Sequence, residues 1–135
     1  MWEHFSHPAD VGIRGVSETL EGAFAEAAYA MVAVMCDPKT VRPAEPIDIL
    51  CESLDMELLF SDWLSTLIYE MDSRKMLFSR FNVSIEGTQL WAKAWGEKID
   101  PSRHDMTVEV KAATYMELKV YKNNNLWIAQ CVVDV

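Results

Sequence analysis

VGIRGVSETLEGAFAEAAYAMVAVMCDP (residues 11–38) contains a change of period that decides the fold. Residues 11–16 alternate, with Val11, Ile13 and Gly15 on one side and Gly12, Arg14 and Val16 on the other, the two-residue period of a strand. Ser17-Glu18-Thr19 then supplies helix-start chemistry, with Ser17 or Thr19 as the N-cap. From residue 20 the apolar positions Leu20, Phe24, Ala27, Met31 and Met35 recur at helical spacing, which predicts a helix over 20–35. Asp37-Pro38 stops it, because proline pushes the preceding residue out of helical geometry.

Outward from this unit, residues 1–5 suit an edge strand, 43–46 a connector and 47–51 an alternating strand. A second helix is predicted over 54–71, with Leu58, Leu59, Trp63, Leu67 and Ile68 inward and Asp55, Glu57, Asp62 and Glu70 outward. Strands are predicted over 75–81, 82–86, 89–95, 106–111, 116–121 and 126–133, with turns at Gly87-Thr88 and at Asn123-Asn124-Asn125. The order β, β, α, β, α followed by an antiparallel meander is an α+β pattern: two helices packed on a largely antiparallel or mixed β-sheet, in a single compact domain over 1–135.

Composition narrows the partners. Half of the 135 residues are hydrophobic and 21 acids outweigh 12 bases, for a formal charge of −9. Such a chain has a core to bury, and it is ill suited to gripping a phosphate backbone unaided, which needs Lys and Arg. A basic protein partner or a metal cation suits it better. Cys36, Cys51 and Cys131 are widely spaced, with no CxxC, and read as buried free thiols of a reducing cytoplasm. Neither a signal peptide nor an apolar run long enough to span a bilayer is visible, so no membrane partner is expected. The five tryptophans and eight methionines read as core.

Three places could carry chemistry. Residues 127–133 are apolar enough to form a packed last strand, which would hold Asp134 and the α-carboxylate of Val135 at a fixed point. If strand pairing also brought Asp10 there, three anionic groups would converge and would either bind a divalent cation or repel one another. The bland reading stands beside this: Asp10 is a turn residue, His7 a packed or exposed histidine, and Asp134 the end of an edge strand. An all-oxygen shell suits Ca²⁺ or Mg²⁺, and entry of His7 or His104 would shift the balance toward Mn²⁺ or Zn²⁺. Residues 96–104 gather Glu97, Asp100 and His104 in one polar loop that is also ordinary turn chemistry. Lys111, in an apolar stretch, is an outward strand residue or a counter-charge to the acids. The chain has no GxxxxGK, GxGxxG or GxSxG motif and no cysteine in a nucleophile motif, which argues against stand-alone nucleotide hydrolysis.

Taken together, these motifs resemble the archease family across the whole chain and in order. They are His7-Pro8-Ala9-Asp10-Val11-Gly12-Ile13-Arg14-Gly15 with Thr19-Leu20-Glu21-Gly22-Ala23-Phe24, then Gly96-Glu97 with Asp100 and His104, then Val110-Lys111-Ala112-Ala113-Thr114-Tyr115, and the closing Val133-Asp134-Val135. Two residues depart from the family pattern: Pro8 stands where threonine is common, and Met116 where histidine often follows the Thr-Tyr pair. The resemblance implies a protein cofactor, not itself an enzyme, of the GTP-dependent RNA ligase of tRNA splicing and RNA repair, promoting ligase guanylylation and multiple turnover and meeting RNA only through the ligase. It also implies a divalent metal site at Asp10 and Asp134, completed by Val135, with Ca²⁺ ahead of Mg²⁺ or Mn²⁺. His7, Glu97, Asp100, His104 and Lys111 are then supporting candidates. A metal-dependent hydrolase using Asp10, Asp134 and His104, and a plain protein-binding or chaperone-like module, are the competing readings.

Overall fold

The computed structural model describes all residues, 1–135. In chain order the elements are β1 (Trp2–His7), β2 (Asp10–Ser17), α1 (Leu20–Met35), a 3₁₀ turn (Pro38–Thr40), β3 (Glu45–Glu52), α2 (Met56–Arg74), β4 (Met76–Glu86), β5 (Gln89–Lys98), β6 (Ala112–Ala113), β7 (Lys119–Asn123) and β8 (Leu126–Asp134). They make two antiparallel sheets. A five-stranded sheet runs β1-β2-β8-β6 with β7 also on β8, and a three-stranded sheet runs β3-β5-β4. The α+β expectation holds, with the single expected sheet divided into two. No helix is long and apolar enough to cross a membrane.

Local chemistry fixes the helix ends. Thr19 caps α1, its hydroxyl accepting from Gly22 N–H at 3.0 Å, and Asp55 caps α2 by accepting from Leu58 N–H at 2.9 Å. After α1, Cys36 is extended and Asp37 accepts from Lys39 N–H at 3.1 Å, starting the 3₁₀ turn. The second helix is displaced from its predicted range: Leu54 stays exposed outside it, and it runs on to Arg74 before Lys75 takes a left-handed φ of 55°.

The core lies where α1 meets both sheets. Its buried residues include Ala23, Phe24, Ala27, Ala28, Ala30 and Met31, and it packs on β2, β8 and β4. The helices lock through Phe24 and Phe60, edge to face at 5.0 Å, and through the Trp63 indole N–H, which donates to the Phe24 carbonyl at 3.0 Å. Gly15 of β2 meets α1 backbone to backbone. A Cβ there would lie 2.1 Å from the Ala23 oxygen and 2.4 Å from the Ala27 nitrogen.

Several strand expectations are corrected. Residues 75–81 and 82–86 form one strand, β4, which absorbs the irregularity as a bulge between Phe78 and Arg80. The predicted strand 106–111 does not form: Thr107 N–H bonds to Met35 O and Lys111 N–H to Asp134 O, so its backbone is satisfied at isolated points instead of in a ladder. The predicted strand 116–121 begins only at Lys119, because Thr114 accepts from Met116 N–H and Glu117 turns the chain with φ 55°. The final strands are therefore no continuous meander. After the β4–β5 hairpin the chain leaves the small sheet and returns to the large one. The Asn turn forms as expected, with Asn124 and Asn125 at φ 51° and 67°. Nor are all tryptophans core: Trp63 is fully buried, but Trp91 is 43% exposed and Trp2 lies at the surface. Met1, Met106 and Met116 are exposed as well.

Gly15→Ala is expected to destabilise the protein by about 1–3 kcal/mol through overpacking against α1, whereas Ser84→Ala on an exposed strand face should stay within about 0.5 kcal/mol. The urea midpoints of the two variants check this difference.

Candidate functional site

The side of β2 opposite Gly15 carries the candidate site. Val11, Ile13 and Gly15 face α1, so Asp10, Gly12 and Arg14 project from the outer face of the large sheet. Register extends this face on both sides. On β1, His7 is opposite Asp10, Phe5 opposite Gly12 and Glu3 opposite Arg14. On β8, Val133 is opposite Val11, so the next step of the same antiparallel register sets Asp134 beside Asp10. His7, Asp10 and Asp134 thus stand in one row across three strands, with neighbouring Cβ atoms about 5 Å apart by ordinary cross-strand geometry.

Each end of the row is held. Pro8 and Ala9 turn β1 into β2, Ala9 with φ 65° at the second corner, as a type II turn requires. Asp134 is paired with Ala112, and its carbonyl accepts from Lys111 N–H at 2.8 Å. Val135 follows directly and is half-buried. Lys111 serves through its backbone; its ammonium is exposed and takes part in no ion pair.

The next two rows brace the first. The Phe5 ring lies over Gly12, where a Cβ would fall 2.3 Å from it, and the Arg14 guanidinium stacks on the same ring at 4.7 Å. Arg14 donates to Glu3 at 2.7 Å and to Gln130 at 2.9 Å, and Gln130 donates to the Glu117 carbonyl at 3.1 Å. Arg14 is the bracing residue that sequence reading missed. Its signal was an arginine in an otherwise apolar alternating strand, on the same face as Asp10.

The chemistry of this donor set can be tested against a cation. Two carboxylate side chains and an α-carboxylate are hard oxygen ligands of the kind Ca²⁺ and Mg²⁺ take, with water filling other positions. No set of three or more His, Cys, Asp or Glu side chains is gathered in metal-binding geometry anywhere in the structure. The Nδ1 atom of His7 is buried without a hydrogen-bond partner. Such an orphan is rare in folded proteins, and it lies in the same row as the acids.

The other predicted residues lie elsewhere. Residues 96–98, expected in the loop, instead close β5 of the small sheet, and Glu97 there holds the remaining loop, 99–104, shut. The Glu97 Oε1 accepts from Arg103 at 2.6 Å, and its Oε2 from Arg42 N–H at 2.7 Å and His104 Nε2 at 2.9 Å. His104 is fully buried; its Nδ1 accepts from Asp100 N–H at 2.9 Å, which leaves the proton on Nε2 to face Glu97. Arg103 also reaches the Thr40 carbonyl at 2.6 Å, and Asp100 accepts from the Ser102 hydroxyl at 2.7 Å. The Glu97 carboxylate and both His104 ring nitrogens are committed within this clamp, which ties the loop to the 3₁₀ turn and the entry to β3. Burial pushes the Cys36 thiol up to about 11 and the Cys131 thiol up to about 12, whereas Cys51 is only partly buried.

The chain matches the Archease protein family (MTH1598/TM1083) over residues 2–135. It is 41% identical to protein archease of Sulfurisphaera tokodaii, over 99% of this chain and 98% of that one. It is 40% identical to protein archease of Pyrococcus furiosus, again over 99% and 98%. The solution structure of Methanobacterium thermoautotrophicum protein 1598 superposes with a TM-score of 0.88 at 33% identity, covering 99% of this chain and 98% of that one. The Thermotoga maritima archease, described as a possible chaperone, shares the fold with a TM-score of 0.64 at 20% identity, over 97% and 94%. The chain belongs to the archease family.

The clamp sets a pH dependence. The Arg103 hydrogen bond, helped by Arg42 N–H and His104, lowers the Glu97 carboxyl from 4.5 to about 2. A carboxyl whose pKa is depressed by folding stabilises the native state above its unfolded value and loses that contribution as pH falls toward the folded value. Acid titration of the urea midpoint between pH 4.5 and 2 is expected to show this loss in the wild type, and a smaller loss in Glu97→Gln, whose starting stability is already lower.

Proposed function

We propose that this protein is an accessory factor that activates a GTP-dependent RNA ligase in tRNA splicing and RNA repair, without being an enzyme itself. In this role it promotes guanylylation of the ligase and its return for further turnovers. The acid row is the working part: Asp10, Asp134 and the Val135 carboxylate would hold a divalent cation, Ca²⁺ ahead of Mg²⁺ or Mn²⁺, with His7 beside them. The observation that supports the reading is the antiparallel register of β2 with β8, which brings Val11 opposite Val133, one residue from each of the two acids. Membership of the archease family supports it.

The residues divide the work. β8 is buried from Ala129 to Val133, so Asp134 leaves the core from a stiff base. The Pro8-Ala9 turn fixes Asp10 from the other side. Arg14 is spent on Glu3 and Gln130, so it braces the sheet without neutralising the row. A bound cation would supply positive charge where nucleotide phosphates carry negative charge. The protein meets RNA only through the ligase, whose basic, nucleotide-using pocket complements a chain of charge −9. It works in the cytoplasm, where thiols such as Cys36 and Cys131 stay reduced. The hydrolase reading that relies on His104 is disfavoured, because that imidazole is closed into the Glu97 clamp, away from the acids.

The test is a single- versus multiple-turnover assay of a cognate GTP-dependent ligase on cleaved RNA with GTP and divalent metal. Wild type is expected to give repeated turnover, and folded Asp10→Ala and Asp134→Ala to leave the ligase near its unaided rate. Normal stimulation by both variants would leave a plain binding module; turnover of RNA or nucleotide by the protein without a ligase would favour the hydrolase.

A further inference from the structure

The outer face of the three-stranded sheet is a second surface, remote in sequence and fold from the acid row. Its opposite side is core: Ile49, Val83, Leu90, Ala92 and Ala94 are buried. Alternation therefore turns Trp91 and Trp95 of the central strand β5 outward. In register, Arg80 is opposite Trp95, and its guanidinium stacks 4.8 Å from that ring. Trp91 is the next outward tryptophan along the strand, yet its partner on β4 is Ser84, so the fold supplies it with no cation. Lys93, between the two, is held by Asp48 at 2.7 Å.

The surroundings of Trp91 define what would fit. On the β3 side stands Leu50, 78% exposed, an apolar surface with nothing on it. The next row along is Glu52, Gln89 and Glu86, whose two carboxylates are exposed and unpaired. Shallow depressions of about 410 and 360 Å³ flank the indole, one toward Lys93 and one toward Glu52. An indole face, an aliphatic flank and two carboxylates make the complement of an arginine or lysine side chain, with its aliphatic stem on Leu50 and its cation on the ring. Arg80 on Trp95 is the same contact made within the chain.

We propose that this face docks a basic segment of a partner protein, inserting an Arg or Lys side chain against Trp91 between Leu50 and the Glu52/Glu86 row. The docking does not depend on the acid row of the large sheet. Phosphate backbones are disfavoured because the carboxylates beside Trp91 would repel them. A second copy of the chain is disfavoured by the charge of −9 on each.

The test is a titration of the ¹⁵N-labelled full chain with tetra-arginine peptide at about 150 mM salt, following the five indole N–H signals. Trp91 is expected to move first, and Trp91→Ala or Glu52→Gln/Glu86→Gln to weaken binding by at least about threefold. Ligase stimulation by Asp10→Ala, read separately, bears on the acid row alone. Unchanged affinity in both Trp91 and Glu variants, movement confined to other tryptophans, displacement of Trp91 by decauridine RNA instead of the peptide, or self-association in sedimentation that is abolished by Trp91→Ala would overturn the proposal.

Discussion

The pairing of β2 with β8 is the constraint on which the rest depends. It joins the second strand of the chain to the last, and it succeeds because β2 lies backbone to backbone on α1 at Gly15. Close approach there leaves no freedom of register, since a one-residue slip would turn Val11 and Ile13 to solvent and the outward residues into the helix. The same rigidity fixes the strand ends that carry Asp10 and Asp134. The core and the acid row are thus two faces of one strand pair, and the polar face inherits its geometry from the apolar one.

The two sheets divide the protein's charge chemistry. On the large sheet, Arg14 is bound by Glu3 and Gln130 and stacked on Phe5, which leaves the row at its end acidic. On the small sheet, Glu97, Arg103 and the buried His104 consume one another in a clamp, while the acids near Trp91 remain open. Clustered reactive side chains in the sequence therefore mark structure in one place and an accessible surface in another. Hydrogen-bond satisfaction separates them: a carboxylate with three donors is committed, and one with none is available.

Much of this was legible in the chain. The change of period at Ser17–Thr19 placed α1 to the residue, because alternation, a cap and an Ala-rich stripe agreed. The α+β class followed from element order. What failed was non-local. Residues 106–111 carry strand-like alternation, but β8 offers its free edge to Ala112–Ala113 and β7, so they find no ladder. Trp91 looked like core because tryptophan usually is, and only the division into two sheets exposes its face. The alignment of Asp10 with Asp134 was inferred from an apolar last strand and from family resemblance; the β2–β8 ladder ends at Val11 opposite Val133, one residue from each acid. The separation of Glu97 and His104 from that row depends on which sheet β5 joins, which alternation alone does not encode.

The most direct measurement of the central claim is calorimetric titration of Ca²⁺ into the protein, repeated with Asp10→Ala, Asp134→Ala and a chain extended past Val135 by two glycines. The account expects one site in the wild type, lost with either aspartate and weakened when the terminal carboxylate is carried away from the strand end. Binding that survives both aspartate substitutions, or no binding of Ca²⁺, Mg²⁺ or Mn²⁺ by the wild type, would contradict it.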